Sequence, residues 1–352
     1  MLKVSDEMNI LLVGNQVGTK EKIKSYSMMQ AYFLEQNLRE LGVNTFFFPT
    51  HNVSNPDEFY TQIMKFCDDS RIDHIVALGV NFFGKCDKSI GFKLSCNFKG
   101  MVTQIHDGSV LDGVPIDLNF TIKDERERLK DNINNRLERH IHCNYLINWA
   151  ADNSMFIPKQ IKDGILRVFV DHSTFTDTYI DHSLTIMMNL KRLYDLINIG
   201  QIPDYHGMIV KTLTDNGVEI VDLNNILIKP YNRKSVSAIV FAKEISESDI
   251  FFVSHSESIG LCVLEAAMSG ALVFIPDGMV NACLLNQVNH VCFYNRINWD
   301  NWSLIAEKLV PFQNSMVVQK YTWRAFTINL LNGLISMKKR DKKHKFPIIG
   351  RN

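Results

Sequence analysis

Short apolar runs alternate with longer amphipathic segments along most of the chain. Runs such as residues 10–13 and 250–253 have the length of strands that are buried on both faces of a parallel sheet. Between the runs, apolar residues recur every three or four positions, which predicts helices. We predict strands at residues 10–13, 45–48, 74–78, 100–105, 165–170, 208–213, 250–253, 271–275 and 291–294, and helices at 25–41, 56–67, 182–196, 235–245, 260–270, 299–309 and 321–335. This alternation is typical of doubly wound α/β folds.

The length of the chain, 352 residues, predicts two domains rather than one. Hydrophobic residues make up 46% of the sequence, enough for two packed cores and too many for a disordered chain. We place the linker within residues 145–158, before the strand that opens the second half. The predicted organisation is an N-terminal domain over residues 1–155, a C-terminal domain over 156–335 and a basic tail over 336–352.

Charge and cysteine usage narrow the class of protein. Lysine plus arginine and aspartate plus glutamate both number 38, so no overall basic field indicates a nucleic-acid partner. The only concentrated basic run is residues 338–345, which is typical of a solvated terminus and is also a candidate contact to a nucleic-acid backbone. Seven cysteines without a Cys-x-x-Cys pair indicate reduced thiols and no zinc site. With no signal peptide and no membrane span in the pattern, we expect a cytoplasmic protein.

The candidate chemistry is concentrated between the strands at 250–253 and 271–275. The loop after the first strand leads into a helix, and Glu257 and Glu265 stand eight positions apart around the helix start. The unpaired backbone amides of a helix start form a site for an anion such as a diphosphate, and Gly260 permits close approach of a ligand. Both carboxylates are candidate acceptors for sugar hydroxyls. The alternative is an ordinary buried βαβ unit in which Glu257 is a solvated helix-end charge.

This stretch resembles the donor-binding segment of retaining GT-B glycosyltransferases with a Glu-x7-Glu motif, here Glu257 to Glu265 followed by Ala-Ala-Met-Ser-Gly. The resemblance implies two Rossmann-like domains facing a cleft. It implies that Glu257 contacts the donor sugar and that Glu265 holds the ribose of the nucleotide. It also implies that the loop amides of Ser258, Ile259, Gly260 and Leu261 hold the diphosphate.

The chain departs from this family where the diphosphate charge is neutralised. The family carries an arginine and a lysine after the first strand of the second domain, whereas this chain has Asp171 and His172 there. Lys211, Arg233 and Lys234 are candidate replacements, and the sequence does not choose between them. An Asp-x-Asp metal motif is absent from the sequence, so the prediction is a nucleotide-diphosphate sugar as donor with no required cofactor and no metal.

The loop after the first strand contains Gly18, which the resemblance makes a donor-side candidate together with Asn15 and Thr19. In GT-B enzymes this loop faces the cleft, where it meets the acceptor or a phosphate. The spacing of its glycines does not match Gly-x-Gly-x-x-Gly, so a dinucleotide site is a weak alternative. An ordinary βα turn also fits the pattern.

A histidine and an aspartate, His106 and Asp107, follow the predicted strand at 100–105. Either is a candidate base or electrostatic stabiliser at a strand's carboxyl end, and a strand-end cap is the structural alternative. Residues 104–111 and 81–84 (Asn-Phe-Phe-Gly) resemble segments of phage DNA glucosyltransferases. That resemblance implies Asp107 as base in an inverting enzyme, or both residues as donor-sugar contacts in a retaining one.

The sequence therefore predicts a glycosyltransferase moving a hexosyl or pentosyl group. The resemblance to the phage enzymes implies hydroxymethylated bases in double-stranded DNA as acceptor, flipped out of the stack, in the cytoplasm of an infected host cell. The alternatives are a glycan, lipid or small-metabolite acceptor, a sugar-nucleotide binding module without turnover, and a sugar-nucleotide epimerase of the same fold.

Overall fold

The computed structural model divides the chain into two compact units. Unit 1 comprises Met1–Gln16, Gln30–Asn148 and Arg324–Asn352, and unit 2 comprises Val17–Met29 and Trp149–Trp323. The structure describes residues 8–14, 17–24, 26–50, 55–78, 90, 93–94, 97–106, 118–121, 144–146, 150–159, 166–171, 221–223, 226–231, 237–252, 261–275, 291–293 and 321–338. Every statement below concerns these residues.

Unit 1 is built on a six-stranded parallel sheet with the strand order β2-β1-β3-β4-β5-β6. The chain reverses its direction of travel across the sheet after β2, because β2 lies on one side of β1 and β3 on the other. The strands are β1 (Asn9–Gly14), β2 (Asn44–Pro49), β3 (His74–Ala77), β4 (Met101–His106), β5 (Leu118–Thr121) and β6 (Asn144–Leu146).

Three described helices belong wholly or mostly to unit 1, and the contacts of α2 show how a helix packs on this sheet. They are α1 (Tyr26–Glu40), whose first residues belong to unit 2, α2 (Pro56–Asp69), and α5 (Trp323–Lys338), whose first residue belongs to unit 2. The stripe of α2 is Phe59, Ile63 and Cys67, spaced by four residues and buried against Leu11, Ile75 and other core residues. In α5 the buried positions are Trp323, Phe326, Thr327, Leu330, Leu331 and Leu334.

The turn into β4 requires a glycine for lack of space. A Cβ atom on Gly100 would lie 2.2 Å from the Asp73 carbonyl oxygen and 2.4 Å from the Phe98 ring. The backbone of Asp73 is fixed there, because its carbonyl accepts a hydrogen bond from the Met101 N–H at 3.1 Å. No side chain fits at position 100 without movement of the backbone that aligns β3 with β4.

Unit 2 is built on a second six-stranded sheet with the order β12-β11-β10-β7-β9-β8. The strands are β7 (Leu166–Asp171), β8 (Val221–Leu223), β9 (Ile226–Tyr231), β10 (Ile250–Phe252), β11 (Leu272–Ile275) and β12 (Val291–Phe293). All pairings are parallel except that of β8 with β9. The described helices are α3 (Ala238–Ile245), between β9 and β10, and α4 (Leu261–Met268), between β10 and β11.

The two parallel sheets confirm the predicted fold class of two Rossmann-like doubly wound units, the fold of GT-B proteins. Most strands predicted from apolar runs are present within one or two residues of the predicted ends. The strands β5, β6, β8 and β9 were not predicted. The predicted helices at 182–196 and 299–309, the strand at 208–213 and the turn at 215–217 lie outside the described residues. We predicted a boundary at residues 155–156, whereas the units divide at Asn148 and Trp149 and also exchange the segments Val17–Met29 and Arg324–Asn352.

Candidate functional site

Among the described strands of unit 2, the strand order reverses at one position, and α/β folds bind ligands at such reversals. From β7, the chain goes to β9 on one side of it and then to β10 on the other, so the strand order reverses between β7 and β10. Ligands in open α/β sheets bind outside the carboxyl ends of the strands at such a reversal. The carboxyl end of β10 is Phe252, and the next helix, α4, begins at Leu261. This reversal makes the ends of β10 and α4, which flank the predicted motif, the candidate site of unit 2.

Glu265 is a predicted site residue for which the structure describes both the helix and the burial of the side chain. It lies in the middle of α4 and is completely buried, with apolar neighbours Cys262, Val263, Ala266 and Ala267 also buried. Glutamate is almost never fully buried in proteins unless its carboxylate is compensated, because removal of the charge from water is costly. A helix that is otherwise apolar on all sides gains no packing from a glutamate that an alanine or leucine would not supply. The burial of Glu265 makes its carboxyl group a candidate for a role in ligand binding.

The end of α4 is held tightly, which fixes the position of Glu265. Gly270 adopts a left-handed conformation with φ of 89°. Its N–H donates to the Ala267 carbonyl at 3.0 Å, and the Ala271 N–H donates to the Ala266 carbonyl at 3.1 Å. This pair of hydrogen bonds is a Schellman motif, which ends a helix in a defined direction. The chain then enters β11 at Leu272.

A second element lies at the same edge of the sheet as the start of α4. Because β9 and β10 both run parallel to β7, α3 begins at the carboxyl edge of the sheet and ends at the amino edge. Ser237 caps α3, with its hydroxyl accepting from the Val240 N–H at 3.4 Å. The Ala238 N–H donates to the carbonyl of Ile23 at 2.9 Å. The segment after β1 therefore runs past the start of α3.

Gly18 lies in this segment, and the structure assigns it to unit 2 together with Glu265. Gly18 and Thr19 are exposed, and a Cβ on Gly18 would meet nothing within 4 Å. The 3₁₀ helix Lys20–Lys22 that follows packs on α3, which in turn packs on α4. The Thr19 hydroxyl donates a hydrogen bond to the exposed Glu21 carboxylate, which lowers the pKa of that carboxyl group.

An ion pair next to Gly18 was missed by the sequence reasoning. Lys20 Nζ donates to Asp152 Oδ2 at 2.7 Å and to Ser154 Oγ at 3.1 Å. Asp152 is buried, with 8% of its surface exposed. The two partners are 132 positions apart in the sequence, so no local spacing could have indicated the pair.

The remaining predicted site residues are placed only in part. His106 is the last residue of β4 in unit 1, at the strand end where it was predicted, and its side chain is outside the described part. Leu261 is the first residue of α4. Residues outside the described parts are Asn15, residues 81–84, Asp107, His172, Lys211, Arg233, Lys234, Glu257, Ser258, Ile259 and Gly260.

Within the described residues, no three histidine, cysteine, aspartate or glutamate side chains come together as candidate metal ligands. Over the same residues, no helix combines the length and the apolar character that crossing a bilayer requires.

No protein-family model matches the sequence, and comparison with curated proteins found no match. Solved structures are similar in fold. A glycosyltransferase from Rickettsia africae is 10% identical, with a TM-score of 0.60 over 96% of this chain and 100% of its own. An Anabaena protein solved in complex with UDP and glucose is 11% identical, with a TM-score of 0.56 over 94% of this chain and 100% of its own.

A UDP-GlcNAc 2-epimerase from Neisseria meningitidis, bound to UDP-GlcNAc, is 10% identical, with a TM-score of 0.52 over 94% of this chain and 100% of its own. Similarities at this level of identity establish the fold alone. The chain thus shares its fold with glycosyltransferases and with epimerases.

Proposed function

We propose that this chain is a glycosyltransferase that takes a sugar from a nucleotide-diphosphate sugar and transfers it to a hydroxyl acceptor. The observation that carries the proposal is Glu265, a fully buried carboxylate on the helix that follows β10 at the strand-order reversal of unit 2. The similarity in fold to glycosyltransferases, one of them solved with UDP and glucose, supports this choice of chemistry.

In the proposed donor complex, Glu265 accepts hydrogen bonds from the ribose hydroxyls of the nucleotide. The amides of residues 258–261 hold the diphosphate, and Glu257 contacts the transferred sugar, as in the Glu-x7-Glu type. Gly18, which belongs to unit 2 in the segment Val17–Met29, also contacts the donor. Lys211, Arg233 or Lys234 neutralises the diphosphate in place of the missing arginine and lysine.

Chemistry at the donor requires that the bond between the anomeric carbon and the diphosphate oxygen breaks while the acceptor oxygen bonds to that carbon. Fixed amides and cations around the departing diphosphate supply much of the rate enhancement. In an inverting enzyme, Asp107 takes the proton of the acceptor hydroxyl. In a retaining enzyme, no base is required on that face, and His106 and Asp107 contact the donor sugar.

The test is calorimetric titration of UDP, GDP, ADP and their glucose derivatives into wild type and Glu265→Gln. A hydrogen bond to a charged group contributes about 1.5–3 kcal/mol, so we expect affinity for one nucleotide to fall roughly 10-fold to 150-fold in the variant. Glu244→Gln on α3, in the same unit, is the matched control and keeps wild-type affinity. Equal binding by wild type and Glu265→Gln would contradict the assigned role, and no binding of any nucleotide by wild type would overturn the proposal.

For the acceptor we propose a hydroxymethylated base in double-stranded DNA, as in modification of bacteriophage DNA. Residues 81–84 and 104–111 are the sequence features that support this acceptor. The neutral net charge favours the alternative of a glycan, lipid or small metabolite. Incubation of the enzyme with labelled donor and duplexes that contain or lack hydroxymethylcytosine decides between them. Label on both duplexes or on neither, with label on a carbohydrate acceptor, would rule out the DNA proposal.

An epimerase is the second candidate function, because the fold is also that of a UDP-GlcNAc 2-epimerase. An epimerase converts its sugar nucleotide without any acceptor and leaves the bond to the diphosphate intact in the product. Chromatography of the donor after incubation with the enzyme alone separates the candidates. A new sugar nucleotide of equal mass indicates an epimerase, and release of free nucleotide dependent on acceptor indicates a transferase. A chain that binds the donor and changes nothing is a binding module.

A further inference from the structure

The segment Val17–Met29 follows β1 of unit 1 in the sequence, yet it packs in unit 2. Two attachments hold it there. The first is the hydrogen bond from the Ala238 N–H at the start of α3 to the Ile23 carbonyl, with Ile23 itself fully buried. The second is the ion pair of Lys20 with Asp152.

Asp152, the acceptor in this ion pair, is positioned by hydrogen bonds within its own turn that do not involve Lys20. The Asp152 carboxylate accepts from the Ser154 N–H at 3.0 Å and from the Ser154 hydroxyl at 2.8 Å, both through Oδ1. Its backbone carbonyl accepts from the N–H groups of Met155 and Phe156. The Phe156 ring packs edge-on against Phe241 of α3, with ring centroids 5.9 Å apart. Asp152 Oδ2 is therefore presented to Lys20 by a structured turn.

The ion pair is shielded from solvent on the carboxylate side. The Asp152 side chain is 9% exposed and the Lys20 side chain 30% exposed. Partial burial reduces the screening that makes most surface ion pairs weak. Lys20 also donates to Ser154 Oγ, so its ammonium group has two fixed partners in one turn. The position of Lys20 is thus determined by geometry as well as by charge.

The residues that precede Lys20 are the ones that face solvent. Gly18 and Thr19 are exposed, with open space around the Gly18 Cα. They directly precede the 3₁₀ helix Lys20–Lys22, which packs on α3, and Ile23, whose carbonyl accepts from the Ala238 N–H at the start of α3 on the carboxyl edge of the sheet. We infer that Lys20, Asp152 and Ser154 are positioning residues that hold the Gly18–Thr19 backbone at the donor site of unit 2. This inference rests on the proposed function and adds to it three residues that act through the loop.

The double-mutant cycle of Lys20→Ala and Asp152→Asn tests the inference, with affinity measured by calorimetry for the nucleotide that wild type binds, taken below to be UDP. We expect each single variant to weaken UDP binding about threefold to tenfold, because the loop becomes less ordered in the free protein. We expect the double variant to bind no more weakly than either single variant, since both remove the same interaction. Lys20→Arg, which retains the charge, should recover most of the affinity.

The matched control is Lys159→Ala, which breaks the more exposed ion pair of Lys159 with Glu247 in the same unit. It should leave UDP affinity unchanged. Wild-type affinity in both Lys20→Ala and Asp152→Asn would overturn the inference while leaving the proposed function intact. A loss in Lys20→Ala with a gain in Asp152→Asn would also overturn it, because Lys20 would then bind the phosphate itself. Failure of wild type to bind any nucleotide would overturn both proposals.

Discussion

The helices α2 and α4 each connect two parallel strands, one helix in each unit, but their sequences differ in what they contribute. In α2, Asn55 accepts hydrogen bonds from the Asp57 and Glu58 N–H groups, Pro56 opens the helix, and one face is apolar. Every feature supports the fold. In α4, the described side chains from Cys262 to Met268 are all buried, and one of them is a glutamate. A residue that breaks the local pattern without a gain in packing is the usual sign of a functional position.

The largest expected effect is on stability and comes from the apolar face of α2. Phe59 is 5% exposed and packs edge-on against Phe48, with centroids 5.5 Å apart. Phe59→Ala should lower the free energy of unfolding by about 3–5 kcal/mol through lost contacts and a cavity. Urea denaturation measures the loss. Calorimetry should show unchanged UDP affinity under native conditions, and a drop in affinity without a drop in stability would break the comparison.

Substitution of Glu265 in α4 should have a large effect on nucleotide binding and a smaller effect on stability. Glu265→Leu should remove UDP binding at concentrations that saturate wild type. It should change the free energy of unfolding by less than Phe59→Ala, because removing the desolvation cost of the carboxylate offsets its lost contacts. The same two measurements apply. If Glu265→Leu greatly lowers the free energy of unfolding while the molecules that remain folded still bind UDP, Glu265 is a structural residue. The distinction between the two helices then fails.

The N-cap of α2 should contribute less to the free energy of unfolding than Phe59 does. Asn55→Ala removes the acceptor for the Asp57 and Glu58 N–H groups and should cost about 1 kcal/mol in urea denaturation. Asn55→Ser retains an acceptor and should cost only part of this. Equal losses in both variants would show that the amide group acts through some contact other than the cap.

Cys67 should have the smallest effect, and it appears only at high pH. Burial, together with the neighbouring Asp68 charge, raises the pKa of the Cys67 thiol from 9.0 to about 12. Above pH 9 the unfolded chain ionises this thiol while the folded chain keeps its proton, so the free energy of unfolding falls with rising pH until the folded pKa is reached. Below pH 9 the group adds no pH dependence.

At pH 9.5 the expected loss is under about 1 kcal/mol relative to Cys67→Ala, which lacks the titration. Comparing the urea midpoints of the two proteins between pH 8 and pH 10 measures it. Parallel pH profiles would show that the thiol ionises equally in the folded and the unfolded chain.

The sequence predicted those parts of the fold that short-range patterns determine. The apolar runs predicted β1, β10 and β11, and the helical pattern predicted α2 at residues 56–67, where the helix extends from Pro56 to Asp69. The strand β9 was missed because Pro230 lies inside it and its apolar run is interrupted by Lys229. The short strands β5 and β6 lack a long apolar run, and their place in the sheet depends on neighbours distant in sequence.

The candidate site divides in the same way. The place of Glu265 on a helix could be predicted because the helical pattern is local. Assignment of Gly18 to unit 2 could not, since it depends on contacts of Ile23 with Ala238 and of Lys20 with Asp152. Contacts across such separations leave no periodic signal in a single sequence.

The exchanged segments also have a consequence for the order in which the chain folds during synthesis. Domains of most proteins fold as units, the N-terminal one first, as they leave the ribosome. Here unit 1 lacks α5, with its buried Phe326 and Leu330, until the last part of the chain has emerged, and unit 2 needs a segment made near the beginning. The Val17–Met29 segment therefore cannot pack on α3 until the intervening residues have been synthesised. A fragment beginning at Trp149 lacks this segment, so isolating unit 2 requires a circular permutant or a separately supplied peptide.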